Sequence, residues 1–178
     1  MGTKEQRIEW TIFQYDQWHL YVAQTKKGLC YVGSPGQTFE EFEGWIQRHY
    51  APISLVENEE SLMRVTQELR EYFEGKRKSF SIPVDIKGTP FQEEIWKALK
   101  QIPYGQTASY SDLAQWIHRP KAVRAVGTAI GANPVLITIP CHRVIGKSGN
   151  LTGYRGGLEM KRFLLQMEAS ITIVIPNI

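Results

Sequence analysis

Cys141 lies directly after Pro140 and directly before His142 and Arg143, in the run Asn133-Pro134-Val135-Leu136-Ile137-Thr138-Ile139-Pro140-Cys141-His142-Arg143-Val144. A thiol attacks carbon only as thiolate, and a neighbouring imidazole or guanidinium favours that form. Pro140 fixes its own φ and narrows the choices of Ile139, so the approach to Cys141 is stiff. Neighbouring residues on a strand point to opposite faces, so His142 reaches the thiol only if the chain turns here. The competing reading is a buried, inert cysteine with a surface His-Arg beside it.

The rest of the chain must position that group. Residues 109–117 read as a short helix with Leu113, Ala114 and Ile117 inward, broken by His118-Arg119-Pro120. A second helix is predicted from 121 to about 131, with Val123, Val126 and Ile130 as its buried stripe. Two short helices joined by a tight turn describe a helix-turn-helix. Apart from Lys121 and Arg124, the remaining faces of the second helix carry small residues, including Ala122, Ala125, Thr128 and Ala129. Such a surface suits close helix packing, or insertion into a DNA groove with Arg124 as the one long probe.

Charge points the same way. Residues 1–85 hold 10 Lys/Arg against 13 Asp/Glu, a balance of −3, and residues 86–178 hold 11 against 5, a balance of +6. A basic half joined to an acidic half suggests that the basic half meets a polyanion. Two cysteines, with no Cys-x-x-Cys or Cys-x-x-His pair, exclude a disulfide framework and give no zinc motif. A reducing, cytoplasmic setting is the expectation. The N-terminal residues lack the apolar core of a secretory signal, and no stretch is long enough to span a membrane.

Upstream, residues 8–33 predict a three-strand meander, with Cys30 as core packing in the third strand. Residues 38–50 predict a helix burying Phe39, Phe42, Trp45, Ile46 and His49, and residues 59–74 a second one burying Leu62, Val65, Leu69, Tyr72 and Phe73. Residues 82–85 read as a short strand or linker. A domain boundary is expected near 80–90, which divides the chain into 1–85, 86–170 and a tail, 171–178. Thr89, Pro90 and Gln92 then form a capping box with proline at the first helical position. Phe91, Ile95, Ala98, Leu99 and Ile102 are the predicted buried face of that helix.

Taken together, Pro140-Cys141-His142-Arg143-Val144, Arg124-Ala125-Val126-Gly127, Asn133-Pro134 and Gly153-Tyr154-Arg155-Gly156-Gly157-Leu158 form a known combination. The chain resembles the methylated-DNA–protein-cysteine methyltransferases, or O6-alkylguanine-DNA alkyltransferases, densely over residues 89–168 and only in general style over 1–85. The resemblance implies an α+β protein. A ribonuclease-H-like N-terminal domain of strands and helices precedes a mostly helical, winged-helix-like domain containing the helix-turn-helix.

It also implies a suicide repair protein, a monomer without a cofactor. The family flips O6-alkylguanine out of duplex DNA and moves the alkyl group irreversibly to a cysteine, with O4-alkylthymine a second candidate substrate. By motif, Cys141 is the acceptor, His142 the base acting through a bound water, and Glu168 the residue that orients His142. Tyr110 donates a hydrogen bond to N3 of the leaving guanine, and Asn133 braces the turn before the cysteine. Arg124 fills the gap left by the flipped base from the minor-groove side, with Tyr110, Ala125 and Gly127 on the same DNA-facing surface. Ser111, Arg119 and Lys147 are candidate phosphate contacts. Val144, Tyr154, Arg155 and Gly156 are candidate walls of the base pocket.

Some members of the family carry a structural zinc in the N-terminal domain. Cys30 and His19 alone cannot reproduce that site, so no metal is expected. Two other functions compete. A non-catalytic sensor of alkylated DNA has no need of Cys141, and a cysteine hydrolase has no need of a basic helix-turn-helix.

Overall fold

The computed structural model describes residues 5–172. The meander forms as predicted: β1 (Gln6–Tyr15), β2 (Trp18–Thr25) and β3 (Gly28–Val32) pair antiparallel in sequence order. Period-2 alternation sorts most of their side chains: Ile8, Ala23 and Tyr31 turn to one face, and Phe13, Leu20, Val22 and Val32 to the other. Cys30 joins the first face because the β2–β3 register shifts there, from Ala23–Tyr31 to Gln24–Leu29. α1 (Phe39–Tyr50) covers the first face, with Thr38 and Glu41 as a complete capping box. His49, expected inward, is exposed and stacks on Trp45 at 3.9 Å between ring centroids. The position that closes this face one residue later is Tyr50, which is buried.

A fourth strand was not anticipated. β4 (Ile53–Glu57) follows Pro52 and lies parallel to β1, giving the order β3-β2-β1-β4. Its partner is distant in sequence, and its five residues have neither hairpin turn signals nor a fully buried run to announce them. α2 (Met63–Phe73) covers the second face. It starts four residues later than expected, because residues 59–62 form turns.

In the C-terminal half, α3 (Pro90–Leu99) opens on the Thr89/Gln92 capping box. β5 (Ala108–Ser109) leads into α4 (Tyr110–Trp116), and α5 (Val123–Gly131) follows. The turn between α4 and α5 is tight: His118 takes φ 59°, and the Arg119 amide donates to the Ala114 carbonyl at 2.8 Å. The second helix thus begins at Val123 rather than 121, since the Ala122 amide still closes a turn onto the Arg119 carbonyl. Ala129 is not on an open face either. It is 2% exposed, and its carbonyl accepts from the Trp96 indole of α3 at 2.9 Å.

β6 (Val144–Ile145) pairs parallel with β5, and α6 (Leu158–Thr172) ends the described chain. The proposed tail, 171–178, begins inside α6, and residues 173–178 lie outside the described residues. Among the described residues no helix is long and apolar enough to cross a membrane. None of their His, Cys, Asp and Glu side chains group as metal ligands.

One apolar cluster runs through both halves. It joins Phe13, Leu20, Val22, Leu69 and Tyr72 to Ile95, Leu113, Val126, Val144 and Leu164 without a break. The backbone reinforces the join, as the Val32 amide donates to the Pro134 carbonyl at 2.9 Å and Val32 bridges Val135. The edge strand β3 therefore holds the segment that leads to Cys141.

Candidate active site and DNA-facing surface

The chain does turn at the cysteine. Residues Cys141–Arg143 form a single turn of 3-10 helix that starts from Pro140 at φ −82°, ψ 59°. The segment before it is irregular but fully hydrogen-bonded where it matters. Asn133 is buried, and its Oδ1 accepts from the Val135 amide at 3.0 Å. Its Nδ2 donates to the Ile139 carbonyl at 3.0 Å and to Cys141 Sγ at 3.1 Å. One amide thus fixes both ends of the loop and presents a donor to the sulfur.

Cys141 is 4% exposed, at the floor of a cavity of about 340 Å³. Tyr110, Gly127, Ile130, Gly153, Tyr154 and Arg155 form its walls. A larger cleft of about 380 Å³, between the N-terminal sheet and α2, is lined by Arg7, Lys27 and Arg64 among others and contains no cysteine or histidine. Burial pushes the Cys141 thiol up, against the Asn133 donor and the charges of Arg155 and Lys161, which favour thiolate. Burial also pushes His142 down, against the pull of Glu168. At rest both groups are neutral, and the thiol needs a base beside it.

His142 follows Cys141 in the chain and is the nearest candidate in sequence. Its Nε2 lies 2.9 Å from Glu168 Oε1, while Nδ1 is buried with no hydrogen-bond partner among the described residues. Glu168, near the end of α6, is held tightly. Arg143 Nη2 donates to Oε1 at 2.8 Å and Arg143 Nε to Oε2 at 3.0 Å, and the Gly105 amide reaches Oε2 at 3.2 Å. Gly105 sits at φ 78°, which a side chain would oppose, and this turns its amide toward the carboxylate. Burial alone would raise the Glu168 carboxyl, but the His142 and Arg143 contacts hold it at about 2. Three partners of Glu168 lay outside the motif reading, Gly105 among them. Arg143 closes on Glu168 and the Ile102 carbonyl, and Tyr72 of α2 also donates to Glu168. The Cys-His-Arg adjacency hinted at Arg143; nothing local marked Tyr72.

On the cavity wall, Tyr110 donates to the Thr152 carbonyl at 3.3 Å, and Lys161 donates to the same oxygen at 2.9 Å. Tyr154 Oη is buried and unpartnered among the described residues. A Cβ on Gly156 would lie 2.5 Å from the Tyr154 ring, so glycine there lets the ring seat against the backbone. The guanidinium of Arg155 donates to the carbonyls of Asn133 at 2.8 Å and Val32 at 2.9 Å. Val144 and Gly156 are absent from the cavity lining. Val144 is fully buried in β6 beneath the site, so its expected place in the pocket wall is corrected to a core position.

The outer surface is equally ordered. Arg124 and Ala125 are exposed on α5, and the Arg124 side chain makes no hydrogen bond or ion pair among the described residues. Gly127 packs beside the Tyr110 ring, where a Cβ would sit at an ordinary 3.7 Å. Ser111 is partly exposed and Lys147 exposed. Arg119 is exposed but engaged, 3.6 Å from Glu94 and over the Phe91 ring.

The family of this arrangement is decided by comparison. Residues 90–170 match the DNA-binding domain of 6-O-methylguanine DNA methyltransferase, and residues 8–86 match its ribonuclease-like domain. The chain belongs to that family. It is 51% identical to the inducible methylated-DNA–protein-cysteine methyltransferase of Bacillus subtilis, over 99% of this chain and all of that one. A relative from Methanosarcina acetivorans is 43% identical over 90% of this chain and 98% of its own length. Among solved structures, the Mycobacterium tuberculosis O6-methylguanine methyltransferase superposes with a TM-score of 0.80 at 37% identity, covering 92% of this chain and 93% of that one. The same organism's protein in complex with DNA gives 0.76 at 36% identity, covering 93% and 94%.

Proposed function

We propose that this protein removes alkyl groups from O6 of guanine in duplex DNA by transferring them once, irreversibly, to Cys141. The observation that carries the reading is a buried sulfur lining one cavity, with the Asn133 amide as donor on it and, next in the chain, a histidine paired with Glu168. His142 Nδ1 takes the thiol proton through a water. The thiolate then attacks the alkyl carbon; the S–C bond forms as the C–O bond breaks, and the electron pair leaves with guanine O6. Tyr110 exchanges its Thr152 partner for guanine N3 and stabilises the leaving base. The product is a thioether with no group beside it able to cleave it, so each molecule acts once.

Flipping costs a few kcal/mol and is offset by a side chain placed in the gap. Arg124, exposed on a helix otherwise faced by small residues, is that side chain, entering from the minor groove. Ser111, Arg119 and Lys147 contact phosphates; Arg119 must first give up Glu94, a surface pair of little cost. The chain acts as a monomer in a cytoplasmic setting, a reading that rests on its two free cysteines and on DNA as substrate. Residues 1–85 serve as support for the alkyl-accepting half, 86–170.

The test is intact mass after exposure to an O6-methylguanine duplex. One methyl per protein, mapped to Cys141, is expected, and Cys141→Ala should abolish it while keeping DNA affinity. Repeated turnover, a label on Cys30, or equal loss of DNA binding in the variant would refute the assignment.

A further inference from the structure

The half of the chain that carries no nucleophile nevertheless reaches into the proton relay. Tyr72 stands near the end of α2, fully buried, and its ring is fixed against Phe73, Phe80 and Tyr104. Its hydroxyl donates to Glu168 Oε1 in a short contact and lies 3.2 Å from His142 Nε2. We propose that Tyr72 is a positioning residue for alkyl transfer, locking Glu168 and holding His142 in the tautomer with hydrogen on Nε2. This rests on the reading of Cys141 as acceptor with His142 as its base.

The argument is one of donors and acceptors. A carboxylate only accepts, so the Tyr72 hydroxyl must be the donor to Oε1. Burial and the Glu168 charge keep that phenol protonated well above its usual range. The Tyr72 oxygen then has lone pairs free on the side of His142. Nε2 thus faces two acceptors, Glu168 Oε1 at 2.9 Å and Tyr72 Oη at 3.2 Å, and satisfies them only by carrying hydrogen. With Nε2 protonated, the neutral ring keeps its lone pair on Nδ1, the nitrogen that no other side chain engages among the described residues. The charged and titratable groups that face this ring are Glu168 and Lys161 from α6, Arg143 and Cys141 from its own turn, and Tyr72 from α2.

Removing the hydroxyl has a readable sign. Glu168 loses one of its donors, so its charge acts more strongly on the ring and favours imidazolium. The pH below which His142 is protonated and useless as a base moves up. Tyr72→Phe keeps the ring and its packing. It should slow single-turnover methyl transfer about 5- to 10-fold near neutral pH, the scale of one lost hydrogen bond to a charged group partly expressed in rate. The gap to wild type should close as pH rises, with DNA affinity unchanged. A pH profile superimposable on wild type, or a loss equal at every pH, would overturn the role.

Ring 15N shifts of His142 in the unmodified protein provide a measurement independent of the variant's folding. Hydrogen on Nε2 is expected, and hydrogen on Nδ1 overturns the proposal. Methyl on Cys141 in the wild-type reaction is scored in the same series. Its absence would sink the alkyl-transfer reading, while the role of Tyr72 would still be judged by the pH profile of Tyr72→Phe and overturned by hydrogen on Nδ1.

Discussion

Glu168→Gln offers a quantitative trial of the buried ion cluster. In the folded protein the carboxyl sits at about 2 against an ordinary 4.5, with side-chain exposure of 1%. That difference corresponds to about 3 kcal/mol of stability. The folded value is the depressed one, so the contribution is complete above pH 4.5 and is lost as pH falls toward 2. Gln has the shape of the protonated acid but no charge, and it leaves the Arg143 guanidinium, itself 7% exposed, without its counter-ion. Breaking one side of a buried pair typically costs about 3–5 kcal/mol, which agrees with the first figure. Urea unfolding of wild type and variant should therefore differ by about 3 kcal/mol at pH 7. The difference should shrink once pH drops below 4.5. A loss under about 1 kcal/mol at pH 7, within the range of surface pairs, or one that ignores pH, would refute the picture of a carboxylate held charged by Arg143 and His142.

Two further substitutions probe other parts of the site. Arg124→Ala should slow repair of duplex DNA far more than reaction with the free alkylguanine base, and should lower the salt slope of DNA binding by about one. Single-turnover rates on both substrates decide it, and equal slowing would withdraw the flipping role. Asn133→Ala leaves the Val135 amide without its partner, removes one of the two donors to the Ile139 carbonyl (the Cys141 amide remains, at 2.8 Å) and strips the donor from Sγ. Thermal and urea melts should show a loss of about 2 kcal/mol, and the transfer rate should fall more at neutral than at alkaline pH, where the thiol ionises without the donor's help; an unchanged melt would mean the loop holds itself.

The features written in local chemistry were legible in the sequence. The Thr89-Pro90-Phe91-Gln92 start of α3, the meander and the burial of Val126 and Ile130 on α5 all follow from caps and alternation. Positions set by distant partners were not. β4 depends on pairing with β1, and β5 and β6 exist only because Ala108 meets Val144 across the fold. At the site, Cys141, His142 and Glu168 came with the family motifs, whereas Arg143, Gly105 and Tyr72 were missed. Each of the three contributes a donor to a carboxylate tens of residues away in sequence, and a single sequence carries no sign of that contact.

The shared core has a consequence for cutting the chain. The family matches break between residues 86 and 90, yet the apolar cluster, the Val32–Pro134 bond and the reach of Arg155 to the Val32 carbonyl all cross that seam. A fragment holding 90–170 would carry the nucleophile but lose Tyr72, the edge strand beneath the cysteine loop and one wall of its hydrophobic interior. The seam is thus a natural place to split the protein without being a place to shorten it. Supplied as separate pieces, the two segments have the complementary faces of a reassembling reporter, silent apart and marked by one covalent label on Cys141 when they find each other.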